Sequence, residues 1–204
     1  LFLAHHADDN VETVLINLFR GTGAKGLAGI EEASTRIVAG VSLEMIRPFL
    51  SVTREEIESY VTRENLSYRE DESNASDFAL RNRVRNRLMP LLGEIFGRDV
   101  RGAVLRAADL AALDEAWAAE AMGPPPWKGP DGGLDVAVLR AMPGGQRQRV
   151  LLRWLRERGV PDCGSDEVGR VQMVLTAEAR PARASLPGGH SVRRRAGVLF
   201  IDSP

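Results

Sequence analysis

Apolar side chains recur at helical spacing after an opening apolar run, which predicts a strand that leads directly into a helix. The run Leu1–Ala4 is typical of a buried strand end. We expect the helix to begin with Asp8 or Asp9 as its N-terminal cap, because a short carboxylate accepts the free N–H groups of a first turn, and to reach Arg20. The apolar residues that share one face of this helix are Val11, Val14, Leu15 and Leu18.

The next two segments predict a hairpin and a second helix. Residues 35–50 have the composition of two strands, and Gly40 lies where the chain is expected to reverse. Residues 51–65 indicate a helix in which Thr53 is the cap and Glu56, three residues later, completes a capping box. Local chemistry alone therefore predicts where this helix begins.

The remainder of the chain predicts mostly helix. Pro90 is expected to kink or end the helix that begins near residue 77, because proline lacks a backbone N–H group. Further helices are predicted over residues 100–122, 143–159 and 165–178, and short antiparallel strands over residues 184–202. The composition shifts near residues 93–100, which predicts two domains, residues 1–95 and residues 96–204.

Composition narrows the function classes. Of the 204 residues 44% are hydrophobic and 27% charged, values that are typical of a globular protein. No apolar stretch approaches the roughly 20 residues that a membrane span requires. The single cysteine, Cys163, excludes an internal disulfide and a cysteine-based zinc site, and it favours a reducing, cytoplasmic location. Because the chain has no initiator methionine and opens inside a predicted strand, we expect further sequence upstream.

The candidate chemistry lies in HHADDN, residues 5–10, at the predicted strand-to-helix junction. Asp9 and Glu12 are three positions apart on the helix, so their carboxylates project together. Open α/β sheets bind ligands at the carboxyl ends of their strands, where carboxylates can hold Mg²⁺ and Arg20 or Lys25 can neutralise phosphate oxygens. A standalone metal centre and a simple helix cap are the alternative interpretations.

Longer stretches of the chain resemble a known family. HHADDNVETVLINLFRGTGAKGLAGI (residues 5–30) resembles the second signature of the N-type ATP pyrophosphatases, the PP-loop enzymes. IRPFLSVTREEIESYV (46–61) and YREDESNASDFALRNRVRNRLMPLL (68–92) are similar to the tRNA(Ile)-lysidine synthase family, and residues 100–204 resemble its second domain more loosely. The resemblance implies an α/β fold: an incomplete PP-loop domain with a parallel sheet of the adenine nucleotide alpha hydrolase type. A mostly α-helical substrate-binding domain with a small β-hairpin would follow.

The resemblance also implies an activity and its participants. Members adenylate the wobble cytidine of tRNA(Ile) with a CAU anticodon, using ATP and Mg²⁺, and free L-lysine then displaces AMP to form lysidine. By resemblance, His5, Asp9 and Glu12 are catalytic, and Asp9 and Glu12 also hold the metal. Residues implied to bind the nucleotide are His6, Asp8 and Arg20. Residues implied to contact tRNA are Arg47, Arg54, Arg81, Asn82 and Arg85.

Several interpretations stay open beside this one. Arg81 could instead form an intramolecular network with Asp71 and Glu72, and Asn82 could hold Asp71 and Ser73. The first PP-loop signature, SGGxDS, is absent, so the chain as given is expected not to catalyse adenylation, and Ala4 replaces the glycine common in the family. The alternatives are a non-catalytic tRNA-binding module, a tRNA thiolation enzyme of the same superfamily and a metal-dependent hydrolase. A homodimer is an oligomeric state that the sequence leaves open.

Overall fold

The computed structural model describes residues 1–68, 79–122, 132–176 and 182–204, which fall into two compact units. The first unit is Leu1–Trp117 and the second is Ala118–Pro204, so the division lies within one long helix. Within the described residues, no helix is both long and apolar enough to cross a membrane.

The first unit combines helices with one antiparallel hairpin. Its elements are α1 (Ala7–Phe19), α2 (Ala24–Leu27), β1 (Ala33–Val38), β2 (Val41–Ile46), α3 (Arg54–Arg63), α4 (Leu80–Arg83), a π-helical turn (Val84–Leu88), α5 (Met89–Phe96) and most of α6 (Arg101–Met122). Strands β1 and β2 pair from Ala33↔Ile46 to Val38↔Val41. Ala39 and Gly40 join them with positive φ angles of 50° and 80°, as a tight hairpin turn requires, and the predicted reversal near Gly40 is confirmed.

The opening apolar segment is not the buried strand end that its sequence predicts. Phe2 forms one isolated parallel bridge with Ile46, while Leu1 and Phe2 keep 68% and 75% of their surfaces exposed. The apolar pattern predicted burial, but this segment pairs with Ile46 on one side only. The side chains of Leu1 and Phe2 are therefore not covered by other described residues.

Helix α1 begins earlier than predicted. His6 is the N-terminal cap, and the carboxylate of Asp9 accepts the backbone N–H of His6 at 3.1 Å, so neither Asp8 nor Asp9 is the cap. The predicted apolar face is confirmed for three of its four members, which are buried, whereas Leu18 is 51% exposed. Among the described residues, the core that α1 shares with the segment after residue 80 consists of Val11, Leu15, Val84, Met89 and Val100.

Pro90 neither ends nor interrupts its helix. The segment Leu80–Phe96 is continuously helical, and Pro90 is the second residue of α5. The π-helical turn directly before it widens the helix, which relieves the clash between a proline ring and the carbonyl one turn earlier. The helix ends at Gly97, whose φ of 62° is left-handed. The capping box of Thr53 and Glu56 at the start of α3 is confirmed.

The second unit packs helices against a four-stranded antiparallel sheet. Its further elements are β3 (Leu134–Asp135), α7 (Val136–Ala141), α8 (Gly144–Glu157), α9 (Ser165–Leu175), β4 (Arg183–Ser185), a 3-10 turn (Pro187–Gly189), β5 (Ser191–Arg195) and β6 (Val198–Asp202). The strand order is β3-β6-β5-β4. The predicted helices near α8 and α9 are confirmed, while β3 and α7 were not predicted. The indole N–H of Trp154, a buried residue of the core, donates to the carbonyl of Gly132 at 3.1 Å.

Candidate functional site

Arg85 joins the first turns of α1 to the π-helical turn. Its Nε and Nη2 contact the two carboxylate oxygens of Glu12 at 2.6 and 3.1 Å, which is the two-pronged geometry of a strong arginine–carboxylate pair. The same Nη2 lies 3.2 Å from Oδ1 of Asp9. Arg85 is therefore brought together with two other predicted site residues, Asp9 and Glu12, that precede it by more than 70 positions in sequence.

Glu12 is the buried centre of this group. The residue is 2% exposed, and a second guanidinium, that of Arg81, lies 3.4 Å from its Oε2. Arg81 also donates to the hydroxyl of Thr13 at 2.7 Å. Burial raises the pKa of Glu12, because an apolar surrounding disfavours the charged carboxylate, and the neighbouring Arg85 and Arg81 oppose that effect. The arrangement thus holds two arginines around one buried acid.

Asp8 connects the starts of three helices. Its Oδ2 accepts the backbone N–H of Arg54, the first residue of α3, at 2.8 Å. Its Oδ1 lies 2.9 Å from Nε of Arg101, the first residue of α6. Because Asp8 itself belongs to the first turn of α1, its carboxylate fixes where α3 and α6 begin relative to α1.

A cleft of about 280 Å³ opens beside these side chains. Its lining residues are Asp8, Val11, Glu12, Arg54, Arg85, Asn86, Met89 and Arg101. Three arginines and two carboxylates therefore line a small space together with the apolar residues Val11 and Met89. Pockets that pair a partly apolar wall with a few charged groups are the usual form of a ligand site.

His6 lies close to Asp8 and Asp9, and both His6 and His5 keep a ring nitrogen without a hydrogen-bond partner within the described chain. Nε2 of His6 is 3.4 Å from Asp9 Oδ2, and Nδ1 of His6 is 3.6 Å from Asp8 Oδ2. Within the described chain, the buried Nδ1 atoms of His5 and His6 have no hydrogen-bond partner. A buried ring nitrogen without a partner costs free energy unless a ligand or water satisfies it, so both histidines are open to a further contact.

The remaining predicted tRNA contacts have different surroundings. Arg47 is 8% exposed, and its Nη1 donates to the carbonyl of Glu31 and the hydroxyl of Ser34, at 2.7 and 3.1 Å. Arg54 lines the cleft, and its half-exposed side chain pairs with Glu58 at 2.6 Å. Arg47 therefore faces the interior of the unit, whereas Arg54 faces the cleft.

Arg20 and Asn82 complete the predicted set. Arg20 follows the last residue of α1, eleven positions after Asp9, which places it about 16 Å along the axis from the acidic turn. Asn82 lies on α4, one residue from Arg81, and is partly buried. Its predicted partners Asp71 and Ser73, together with Glu72, lie outside the described residues. Arg20 is therefore apart from the cluster, while Asn82 is adjacent to it.

The carboxylates do not form a metal-binding set in this arrangement. Both oxygens of Glu12 contact arginine, and those of Asp9 contact Arg85 and the backbone N–H of His6. Across the part of the chain that the structure describes, no group of three or more His, Cys, Asp or Glu side chains could hold a metal ion. The donor set does not fit Mg²⁺ here, and the metal role of Asp9 and Glu12 stays a prediction.

Two residues of the cluster were missed from the sequence. Thr13 follows Glu12 directly, and its hydroxyl donates to the carbonyl of Asp9 at 2.8 Å. Its position next to Glu12 in the sequence could have identified it as a member of the cluster. Arg101 contacts Asp8 across more than 90 positions, and no local pattern relates the two. Contacts of that kind depend on the tertiary fold.

Comparison with known proteins gives two family matches. Residues 1–92 match the model of the PP-loop domain, and residues 134–200 match that of the TilS substrate binding domain. A tRNA(Ile)-lysidine synthase of Salinispora tropica is 38% identical over 211 residues, covering 100% of this chain and 61% of the relative.

Two further relatives carry the same name. The tRNA(Ile)-lysidine synthase of Vibrio cholerae is 33% identical, over 100% of this chain and 46% of the relative. That of Geobacter sulfurreducens is 33% identical, over 91% of this chain and 40% of the relative. The chain thus spans between 40% and 61% of the length of these three relatives.

Proposed function

We propose that the chain belongs to the tRNA(Ile)-lysidine synthase family and is part of a ligase that attaches lysine to an isoleucine tRNA at the expense of ATP. In the first step, O2 of the wobble cytidine in the CAU anticodon attacks the α-phosphorus of ATP, and pyrophosphate leaves. In the second step, an amine of free L-lysine forms a bond to C2 and loses a proton, while the C2–O bond breaks and AMP leaves. The proposed location is the cytoplasm.

The observation that carries this proposal is the Arg85 guanidinium, which is held by Asp9 and Glu12 beside the cleft. Both steps of the reaction place negative charge on a phosphate, first on pyrophosphate and then on AMP. Fixed cations stabilise such charge most strongly when they are already oriented before the reaction. We propose that Asp9 and Glu12 orient Arg81 and Arg85 for this purpose, and that these arginines and Asn82 contact the tRNA.

The two histidines have different roles in this proposal. The amine of lysine must lose a proton after it attacks C2, and we propose that His5, whose buried Nδ1 has no hydrogen-bond partner within the described chain, accepts it. His6 and Asp8, which lie next to each other at the acidic turn, are proposed to lie near the nucleotide. Mg²⁺ is expected to accompany ATP and to neutralise its phosphates, and we assign no ligand to it. The nucleotide role of Arg20, the tRNA role of Arg47 and a homodimer stay untested predictions.

A lysine-transfer assay tests the proposed function directly. The longest form of the protein that its gene encodes should incorporate labelled lysine into unmodified tRNA(Ile), dependent on ATP, and should leave tRNA(Met) unlabelled. If that form binds the tRNA but transfers no lysine, the alternative of a non-catalytic tRNA-binding module is correct. Sulfur transfer in place of lysine transfer would support a thiolation enzyme, although the single Cys163 and the names of the matched relatives favour lysine.

The 204-residue chain by itself provides a second test. Its sequence contains no SGGxDS loop, so we expect it to bind tRNA(Ile) without consuming ATP. Release of pyrophosphate by this chain, stimulated by tRNA(Ile), would contradict that expectation.

A further inference from the structure

The four-stranded sheet of the second unit has one apolar face and one charged face, because successive side chains of a strand point to opposite sides. Leu134, Val192 and Leu199 are fully buried on the apolar face, where they belong to the core of the unit. The opposite face is named the outer face here. The charged residues that the strand register places on the outer face are Asp135, Arg183, Arg193, Arg195 and Asp202.

The two acids of the outer face already have partners. Both carboxylate oxygens of Asp202 lie 2.9 Å from Nε of Arg193. Asp135 is the N-terminal cap of α7, and one of its carboxylate oxygens accepts two backbone N–H groups of that helix at 2.7 and 3.0 Å. Where the structure describes the chain, neither acid pairs with Arg183 or Arg195.

Arg183 and Arg195 are therefore exposed cations that lack a carboxylate partner among the described residues. Arg183 donates through Nε and Nη2 to the hydroxyl of Ser191, at 3.2 and 3.0 Å, and a neutral hydroxyl does not compensate the charge of the guanidinium. The side chain of Arg195 makes no hydrogen bond or ion pair within residues 1–68, 79–122, 132–176 and 182–204. Its whole planar fork of N–H donors is open to a ligand.

The strand register brings these cations close together. Arg183 lies directly opposite Arg193 across β4 and β5, and Arg195 follows two positions later on the same face. Like charges directly opposite each other destabilise a pair of strands. The two carboxylates of the outer face do not balance its three guanidinium groups, so this face keeps an excess of positive charge that an anion can neutralise.

This arrangement favours the phosphate backbone of a nucleic acid. Backbone phosphates are contacted singly by arginines on an open surface, and such contacts require neither a closed pocket nor a base sequence. We propose that the outer face, through Arg195 and Arg183, binds the phosphate backbone of the tRNA. The inference rests on the proposed function, which makes tRNA the polyanion that this chain meets, and it adds a second surface to the contacts proposed for the first unit.

Equilibrium binding tests this surface in the longest form of the protein that its gene encodes. The affinities for unmodified tRNA(Ile) and for tRNA(Met) are measured over a range of salt concentrations, with Arg195→Ala, Arg183→Ala and the double variant. Arg156→Ala is the matched control, because Arg156 is an exposed arginine of the same unit that lies on α8 and not on the sheet. Arg195→Ala decides the outcome if loss of the Ser191 contact prevents Arg183→Ala from folding.

We expect Arg195→Ala to weaken the binding of both tRNAs by the same factor, about three- to fivefold, which is the scale of one exposed charge pair. The slope of log affinity against log salt concentration should fall by about 0.7–0.9, as for one phosphate contact, and about twice as far in the double variant. The inference is overturned if Arg195→Ala binds both tRNAs as Arg156→Ala does. A loss for tRNA(Ile) alone would indicate base reading and would also overturn a backbone contact.

Asp202 gives a test of the opposite sign. Asp202→Asn removes the carboxylate that compensates Arg193, so a phosphate contact predicts tighter binding of both tRNAs and a steeper salt slope. A purely structural role of this ion pair predicts no gain in affinity, and unchanged or weaker binding would overturn the electrostatic contact.

The outcomes for the outer face and for the proposed function are distinguishable. A wild type that binds both tRNAs but transfers no lysine would refute the proposed function, and the affinities of the variants would still decide whether the outer face binds tRNA. A wild type that binds neither tRNA would refute the inference itself.

Discussion

The first unit joins its helices largely through charged side chains, whereas the second unit does so through a larger apolar core. Around α1 the buried apolar cluster has five residues, and Arg81, Arg85 and Arg101 connect neighbouring helices to the acids of α1. In the second unit, the buried apolar cluster has fifteen members among the described residues, including Leu151, Trp154 and Leu155. Ion pairs can orient the side chains of a ligand site, but their strength depends on pH and salt concentration. The stabilisation that comes from apolar burial depends much less on either.

The largest effect on stability is expected in the apolar unit. Leu151 is fully buried, so Leu151→Ala should lower the free energy of unfolding of that unit by about 2–5 kcal/mol through lost transfer energy and a cavity. Hydrogen exchange of residues 150–156, followed by mass spectrometry, measures this change. If those peptides exchange as slowly in Leu151→Ala as in the wild type, this core does not hold the unit together.

A smaller loss is expected when the charged network is opened. Glu12→Ala removes the main partner of Arg85, and the cost should fall below the roughly 3–5 kcal/mol of a fully stranded buried charge, because Asp9 still contacts Arg85. Hydrogen exchange of peptides from α1 should increase, while peptides of α8 stay unchanged. Glu12→Gln, which keeps the side-chain volume, is the control for packing. A larger loss than that of Leu151→Ala would reverse the comparison between the units.

The smallest expected effect is a pH dependence confined to the first unit. Burial raises the pKa of Glu12 from its ordinary value of 4.5, so the folded chain binds this proton more tightly than the unfolded chain. The stability contributed by this group is therefore fully present below about pH 4.5 and is lost as the pH rises through the folded pKa. Comparing exchange of α1 in wild type and Glu12→Gln at each pH isolates the effect. A difference between them that grows as the pH falls below 4.5 would contradict the sign.

Local chemistry allowed much of the fold to be predicted. The capping box of Thr53 and Glu56 and the turn at Gly40 depend on residues within three or four positions, and both are confirmed. The start of α1 was misplaced because Asp9 acts from inside the first turn, binding the backbone of His6 rather than capping the helix itself.

Features that depend on distant partners could not be predicted in this way. Pro90 was expected to disturb its helix, but the π-helical turn that accommodates it has no signature in the local pattern. The resemblance implied that Arg47 contacts tRNA, and its burial against the carbonyl of Glu31, sixteen positions away, had no local signal. The acids of the candidate site were selected from their spacing, whereas Arg101 became apparent only when α6 was placed beside Asp8.

Lysine transfer by an Asp9→Asn variant tests the central claim most directly. Asp9 orients Arg85 and is not itself a proposed tRNA contact. We therefore expect lysine incorporation into unmodified tRNA(Ile) to fall at least about 100-fold, which is typical of losing a preorganised charge. The affinity for tRNA should change by less than about threefold, an effect smaller than the loss of one charge-assisted hydrogen bond, because Glu12 still holds Arg85 at 2.6 and 3.1 Å. An Asp9→Asn enzyme that transfers lysine at the wild-type rate would show that the acidic first turn of α1 is not the reaction site.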